Sequence, residues 1–137
     1  MTSLPDLSDQ YFEQIQIGKL ALQSFGSMHS IAGEIYTVSC SDDNSVVKDI
    51  LSSEGKNKVL VIDASGVTHA SMIGDQIAES AVKNNWAGIV VNGCVRDVEE
   101  LKNLPIGIFA KGVVAQKPNK KNHGFEDAST NVLKLFL

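Results

Sequence analysis

Apolar runs and helical patterns alternate through the middle of this chain, and their order restricts the fold more than any other feature. Residues 58–63, 88–91 and 106–110 are short and almost continuously apolar, as expected for strands covered on both faces. Residues 75–85 and 98–103 lie between them and space their apolar side chains as helices do. This order predicts right-handed crossovers and a parallel βαβαβ layer, so we assign the chain to the α/β class.

The sequence before this layer predicts two more helices and one more strand. Residues 1–15 form a polar entry with a short helix, and residues 31–40 alternate in polarity and are rich in β-branched side chains, which predicts a strand. Residues 41–44 are all common helix-capping types, and they precede an apolar helical face that ends at Leu51. The remaining connections are predicted as loops: 16–30, 64–73 and 111–121.

Length and composition indicate one globular domain spanning residues 1–137. Of its 137 residues, 43% are apolar and 20% are charged, which is enough to bury a core without disulfides. The formal net charge of -4 argues against a nucleic-acid partner. No apolar run approaches the roughly 18–20 residues that span a membrane, and the acidic N-terminus is unlike a signal peptide. Cys40 and Cys94 fit no metal spacing, so we expect reduced thiols in a cytoplasmic protein.

The residues with chemical potential are concentrated between Gly74 and Asp97. Gly74 lets a ligand approach the backbone closely, and the free N–H groups of Gln76 and Ile77 begin the next helix. A helix start of this kind attracts a carboxylate or a phosphate. The alternative is that Asp75 simply caps the helix, which is a common role for an acidic residue at such a position.

Arg96 and Asp97 add a guanidinium and a second carboxylate, and twenty residues separate Asp75 from Arg96. A guanidinium binds a carboxylate bidentately, and one carboxylate can hold Mg²⁺ or Mn²⁺ when water and substrate oxygens complete the coordination shell. Asn92-Gly93 predicts a tight turn that directs both side chains inward. The alternative is a surface ion pair that caps the helix at 98–103.

Both groups of residues follow predicted parallel strands. Segment 63–76 follows one strand, and segment 92–97 follows the next. Ligands bind such sheets beyond the carboxyl ends of the strands, so we expect the two segments to meet at one edge of the sheet. The combination suits a metal-assisted reaction on a small carboxylic acid.

The segment GDQIAESAVKNNWAGIVVNGCVRDVEEL resembles the core of the class II aldolase/regulator-of-ribonuclease-activity-like family. Three further segments fall where that family has similar stretches: SFGSMHSIAGEIYTVSCSDDNSVV, KVLVIDASG and LPIGIFAKGVVAQKP. The resemblance covers roughly residues 5–120. It implies a swivelling β/β/α-type fold and assembly into a homotrimer or a hexamer built from two trimers.

The resemblance also implies a divalent-metal-dependent lyase, because the enzymes of this family are 4-hydroxy-4-methyl-2-oxoglutarate aldolases that also decarboxylate oxaloacetate. Arg96 would hold the pyruvate carboxylate, Asp97 would bind the Mg²⁺ or Mn²⁺ ion, and Asp75 would orient a water on that ion for proton transfer. The 2-oxo acid would be cleaved through a pyruvate enolate that the metal stabilises. The residues that would contact the substrate through backbone amides are Gly74, Asp75, Gln76 and Ile77.

The same family includes proteins that bind and inhibit ribonuclease E without catalysis, and such a regulator is the alternative function. The residue after Arg96 separates the two, since an acidic residue there keeps the metal site, and Asp97 therefore favours an enzyme. Family members continue for some tens of residues past segment 111–121, so the resemblance implies a domain that is short at Leu137. A degenerate member retained as an oligomer scaffold is the third alternative.

Overall fold

The computed structural model describes twelve elements in residues 4–10, 13, 21–40, 43–66, 70–116, 125–127 and 134–136. The helices are α1 (Leu4–Gln10), α2 (Ser45–Leu51), α3 (Asp75–Lys83) and α4 (Val98–Leu101). The strands are β1 (Gln23–Ser24), β2 (Ala32–Ser39), β3 (Val59–Asp63), β4 (Ser71–Ile73), β5 (Gly88–Val95), β6 (Gly107–Val113), β7 (Phe125–Asp127) and β8 (Lys134–Phe136).

The central strands are parallel, which confirms the α/β class and the predicted parallel layer. The main path of the sheet runs β1-β6-β5-β3-β2-β7, with β4 paired to β5 and β8 paired to β2. Strands β2, β3, β5 and β6 are parallel to one another, whereas β1, β7 and β8 join antiparallel. The helices α2, α3 and α4 each connect two parallel strands, as a crossover requires.

Most of the core lies between the parallel strands and their crossover helices. The strands alternate, so Leu60 and Ile89 point into this core while Val59 and Val90 belong to a smaller cluster on the other face. The helices contribute small and medium side chains, and α3 presents only alanines among its fully buried residues. The buried core members of the helices are Val47, Ile50, Leu51, Ala78, Ala81 and Leu101.

The short strand β4 corrects the prediction of a loop over residues 64–73. It is three residues long and fully buried, and it pairs with the end of β5 through Ser71 with Cys94 and Ile73 with Val95. A run this short carries no readable alternation, because strand patterns need about four to eight residues. Strand β1 corrects the loop predicted at 16–30 for the same reason, since it has only two residues.

The predicted tight turn at Asn92-Gly93 is wrong, because β5 continues through both residues to Val95. Asn92 pairs with Asp63 of β3 in the parallel ladder, and the Asn92 Nδ2 atom donates to the Asp63 carboxylate at 3.0 Å. The strand then exchanges β3 for β4 as its neighbour, and the β5–β6 register shifts between Val91 and Cys94. A cross-strand partner therefore overrides the local turn preference of an Asn-Gly pair.

The segment 111–121 starts as strand, because β6 runs to Val113 where the prediction placed a loop. Residues 117–121 lie outside the described part of the chain. The strands β7 and β8 add to the β2 edge near the end of the sequence. Within the residues that the structure describes, no helix has the length and apolarity needed to cross a membrane.

Candidate active site

The ends of β4 and β5 bring Gly74 next to Arg96 and Asp97. The Arg96 N–H donates to the Ile73 carbonyl at 2.9 Å, which fixes the two chain segments side by side. A Cβ atom added to Gly74 would lie 2.8 Å from the Asp97 Oδ2 atom and 3.3 Å from the Arg96 Nε atom. Glycine is required here because these two side chains pack directly on its backbone. The predicted meeting of the two segments at one sheet edge is thus observed.

Asp97 has a left-handed backbone, with φ of 56° and ψ of 41°. It occupies the N-cap position of α4, yet its side chain makes no capping hydrogen bond there. Its Oδ2 atom instead accepts a hydrogen bond from the Asp75 N–H at 3.2 Å, at the start of α3. The alternative in which the Arg96–Asp97 pair caps the 98–103 helix is therefore wrong. A left-handed non-glycine residue is uncommon, and such residues occur often at functional sites.

The two side chains of that pair remain partly open to solvent. The Arg96 Nε atom lies 3.7 Å from the Asp97 Oδ2 atom, and the exposed fractions of the two side chains are 29% and 32%. A pair this exposed contributes little to stability. Both groups are consequently available to a ligand at small cost to the fold.

Gly74 rather than Asp75 is the N-cap residue of α3, so the alternative that Asp75 caps the helix is wrong. Asp75 is the first helical residue, and its Oδ1 atom accepts from the N–H of the next residue, Gln76, at 2.8 Å. Two of the first N–H groups of α3 thus already bind carboxylates, one from Asp97 and one from Asp75. The helix start binds anions in this structure, as its dipole and free N–H groups predict.

A cleft of about 210 Å³ lies between this helix start and α2. Its volume is below the ~300–1,000 Å³ of sites for drug-sized ligands, which suits a small acid. Asp97 contacts Gly74 but is not among the residues that line the cleft. All of the predicted substrate-contacting residues line it: Gly74, Asp75, Gln76, Ile77 and Arg96.

The opposite wall of the cleft was not anticipated from the sequence. It is formed by polar residues of α2 and its cap, together with serines of β4 and α3. Position at the carboxyl end of β2 is the signal that could have indicated Asn44, since parallel sheets bind ligands there. These additional residues are Asn44, Lys48, Ser52, Ser71 and Ser80.

Asp97 is the residue here that could hold a divalent cation. The described residues contain no group of three or more His, Cys, Asp or Glu side chains arranged as a metal site. Mg²⁺, however, often keeps several waters and uses one or two carboxylates together with substrate oxygens. The partly exposed Asp97 carboxylate, with Asp75 on the adjoining helix turn, fits that kind of site.

The two cysteines lie away from this chemistry and are both buried and free. The Cys40 thiol donates to the Met72 sulfur at 3.8 Å. Burial, reinforced by the nearby carboxylates of Asp43 and Asp63, raises the pKa of the Cys40 thiol to about 11. Cys40 is therefore a protonated packing residue at neutral pH, as expected for a structural thiol.

Comparison with known families places a match over nearly the whole chain. Residues 4–133 match the model of the RraA-like family, which is described as Aldolase/RraA. A protein of Vibrio cholerae, named as a candidate 4-hydroxy-4-methyl-2-oxoglutarate aldolase, is 45% identical over 120 residues, covering 88% of this chain and 74% of its own length. A protein of Azotobacter vinelandii with the same name is 41% identical over the same shares.

Solved structures show the same fold under two other names. A Geobacillus kaustophilus protein, described as an S-adenosylmethionine:2-dimethylmenaquinone methyltransferase, superposes with a TM-score of 0.90 at 33% identity, covering 93% of this chain and 79% of its own. The RNA-processing inhibitor RraA from Thermus thermophilus gives 0.88 at 34% identity, covering 100% and 83%. These likenesses confirm the fold that the sequence resemblance implied.

Proposed function

Since the chain belongs to the RraA-like family, we propose that it is a divalent-metal-dependent carbon–carbon lyase. Its substrate would be a 2-oxo acid of the 4-hydroxy-4-methyl-2-oxoglutarate type, and oxaloacetate would be decarboxylated at the same site. The observation that carries the proposal is the contact of Asp97 with both Gly74 and the first N–H of α3, beside Arg96. This contact joins an anion-binding helix start, a guanidinium and an acidic metal ligand at the mouth of one cleft.

Arg96 and the start of α3 would hold the carboxylate of the pyruvyl half of the substrate. Arg96 lines the cleft and can use its fork on a planar carboxylate. The amides between Gly74 and Ile77 line the same end and supply further donors. Fixing this carboxylate orients the bond between C3 and C4 for cleavage.

Asp75 would move the proton. In aldol cleavage the C4 hydroxyl loses its proton, the C3–C4 bond breaks, and its electron pair becomes the pyruvate enolate, which is then protonated at C3. One Asp75 oxygen accepts from the Gln76 N–H, which orients the carboxylate and leaves the second oxygen for this transfer, directly or through a water. A Mg²⁺ or Mn²⁺ ion at Asp97 would supply Lewis-acid stabilisation of the developing enolate.

The deciding experiment is oxaloacetate decarboxylation by purified protein with Mg²⁺, with Mn²⁺ and with a chelator. We expect metal-dependent pyruvate release that is lost in Asp97→Ala and kept in Glu100→Ala, a matched control because Glu100 is an exposed acid on α4. Pyruvate release no higher than that of metal ion alone would defeat the proposal.

A regulator of RNA processing is the second candidate, favoured by the likeness to the Thermus thermophilus inhibitor over the whole chain. A ribonuclease would then be the partner, and Asp97→Ala would leave that binding intact. Failure of a ribonuclease E pull-down at micromolar protein would count against it. A non-catalytic scaffold would remain only if the protein bound neither metal nor pyruvate.

The assembly and location that accompany the proposal rest on the family resemblance. We expect a homotrimer or a hexamer acting in the cytoplasm, with no nucleic acid or membrane among its partners. Light scattering on the purified protein gives the assembly directly. A monomeric mass at micromolar concentration would contradict the oligomer.

A further inference from the structure

The cleft that receives the proposed substrate continues past the anion-binding helix start to a second polar end. The first end contains Gly74 and Arg96, and the second is lined by Asn44, Lys48 and Ser52 of α2 and its cap. A pyruvyl group requires only the first end. The second end is therefore positioned for whatever the substrate carries on C4.

Asn44 shows that this second end lacks a polar partner. The residue is only 7% exposed, and its Nδ2 atom donates to the Met72 carbonyl at 3.3 Å. Its Oδ1 atom is buried and has no hydrogen-bond partner within the part of the chain that the structure describes. Buried acceptors are rarely left unpaired, so a donor from a ligand or from its bound water is the expected occupant.

Lys48 supplies the charge at this end. It lies one helical turn after Asn44 and lines the cleft, and its amine makes no ion pair within the described residues. Other lysines of the fold have partners, since Lys102 pairs with Glu99 and Lys58 lies over the Tyr36 ring. An ammonium group without a counter-ion in a polar cleft attracts an anion.

The charges that line the cleft are two cations and one carboxylate. Lys48 and Arg96 lie on opposite walls, and Asp75 is the single acidic residue among the lining side chains. Under the proposed function, Asp75 serves proton transfer and Arg96 takes the first carboxylate of the substrate. Lys48 is then left with the site for a second negative group.

We propose that Lys48 is the specificity residue that selects a second carboxylate on C4 of the substrate, with the Asn44 Oδ1 atom accepting a hydrogen bond beside it. The inference rests on the proposed lyase function and adds to it the determinant of which 2-oxo acid is preferred. The chain would accordingly favour dicarboxylic over monocarboxylic 4-hydroxy-2-oxo acids.

The test compares two substrates that differ only at the second end. 4-Hydroxy-2-oxoglutarate carries a carboxylate on C4, and 4-hydroxy-2-oxopentanoate carries a methyl group there, while both release pyruvate. We expect Lys48→Met to raise KM for the dicarboxylic acid about 10- to 100-fold, the loss expected for one charge-assisted contact, and to leave KM for the monocarboxylic acid unchanged. Lys48→Glu should reverse the preference, and Lys48→Arg should keep most of it.

Lys83→Met is the matched control, because Lys83 is an exposed lysine in the last turn of α3 that does not line the cleft. It should change neither substrate's KM. An equal effect of Lys48→Met on both substrates, or no effect on either, would overturn the inference while leaving the lyase proposal standing.

Loss of the proposed function is distinguishable from loss of this inference. If the wild-type protein releases no pyruvate from either acid, binding of 2-oxoglutarate and 2-oxopentanoate is measured by calorimetry instead. Tighter binding of 2-oxoglutarate that disappears in Lys48→Met would support the carboxylate site without the chemistry. Equal or absent binding of the two would reject it.

Discussion

The Asp97 carboxylate accepts a hydrogen bond from the backbone N–H of Asp75 at 3.2 Å, so the residue that begins α4 serves the neighbouring helix α3. Its left-handed backbone turns the side chain away from its own helix. The contact also brings the proposed metal ligand and the proposed proton carrier together. The same 3.2 Å bond links the stability of α3 to the geometry of the site.

Replacing Asp97 separates these two roles. Asparagine tolerates a left-handed backbone and its amide oxygen can still accept from the Asp75 N–H, so Asp97→Asn should unfold within about 0.5 kcal/mol of the wild type. Alanine offers no acceptor and should cost about 1–2 kcal/mol. Both variants should lose metal-dependent pyruvate release, because neither supplies an anionic ligand. Urea unfolding and the decarboxylation assay measure the two effects, and an Asp97→Asn protein with wild-type activity would contradict the metal role.

Gly74→Ala tests whether the packing of Asp97 on glycine matters. The new Cβ atom would lie 2.8 Å from the Asp97 Oδ2 atom, so the carboxylate must move. A displacement of about 1 Å in a catalytic group can cost about 100-fold in rate, which is the loss we expect in pyruvate release. Gly112→Ala is the matched control, since its Cβ would meet only the Cys94 sulfur at 3.9 Å. Equal activity in the two variants would show that Asp97 does not need its observed position.

The parallel layer was predictable because its strands are covered on both faces. Leu60, Ile89 and Ile108 belong to one core, and Val90 and Phe109 to the cluster on the opposite face, so each strand is apolar along its length. Strand β4 was not predictable, since its three residues are ordered by pairing with β5 and not by a local pattern. Its burial follows from tertiary contacts that sequence periodicity does not report.

The site was predictable in part for a similar reason. The rule that ligands bind beyond the carboxyl ends of parallel strands brought Gly74 and Arg96 together correctly. The left-handed conformation of Asp97 had no sequence signal, because aspartate is also common in ordinary capping positions. The Asn44 and Lys48 wall was missed because it depends on how α2 lies beside α3, which residue types alone do not specify.

The buried Cys40 thiol makes stability fall at alkaline pH. Burial and two nearby carboxylates raise the pKa of the folded-state thiol from 9.0 to about 11. Between these values the unfolded chain loses the proton and the folded chain keeps it, so the free energy of unfolding decreases as pH rises through this range. We expect Cys40→Ala to remove this part of the pH dependence in urea unfolding between pH 8.5 and about 11.

The same protonated thiol should react slowly with alkylating reagents. At pH 8 the folded protein should modify Cys40 much more slowly than the urea-unfolded chain does, because the thiolate is the nucleophile. Mass spectrometry of the Cys40 peptide gives both rates. Comparable rates in the two states would show that the thiol is neither buried nor shifted in its pKa.

Arg96→Lys separates substrate binding from folding at the centre of the site. Lysine keeps the positive charge but lacks the fork that binds a carboxylate bidentately, so KM for oxaloacetate should rise about 10-fold or more. The Arg96–Asp97 pair is 3.7 Å long and about a third exposed, so the free energy of unfolding should change by less than about 1 kcal/mol. Lys102→Arg, in the exposed pair with Glu99, is the matched control and should leave KM unaltered. An Arg96→Lys protein that keeps its KM would mean that the pyruvyl carboxylate is held by the α3 amides without the guanidinium.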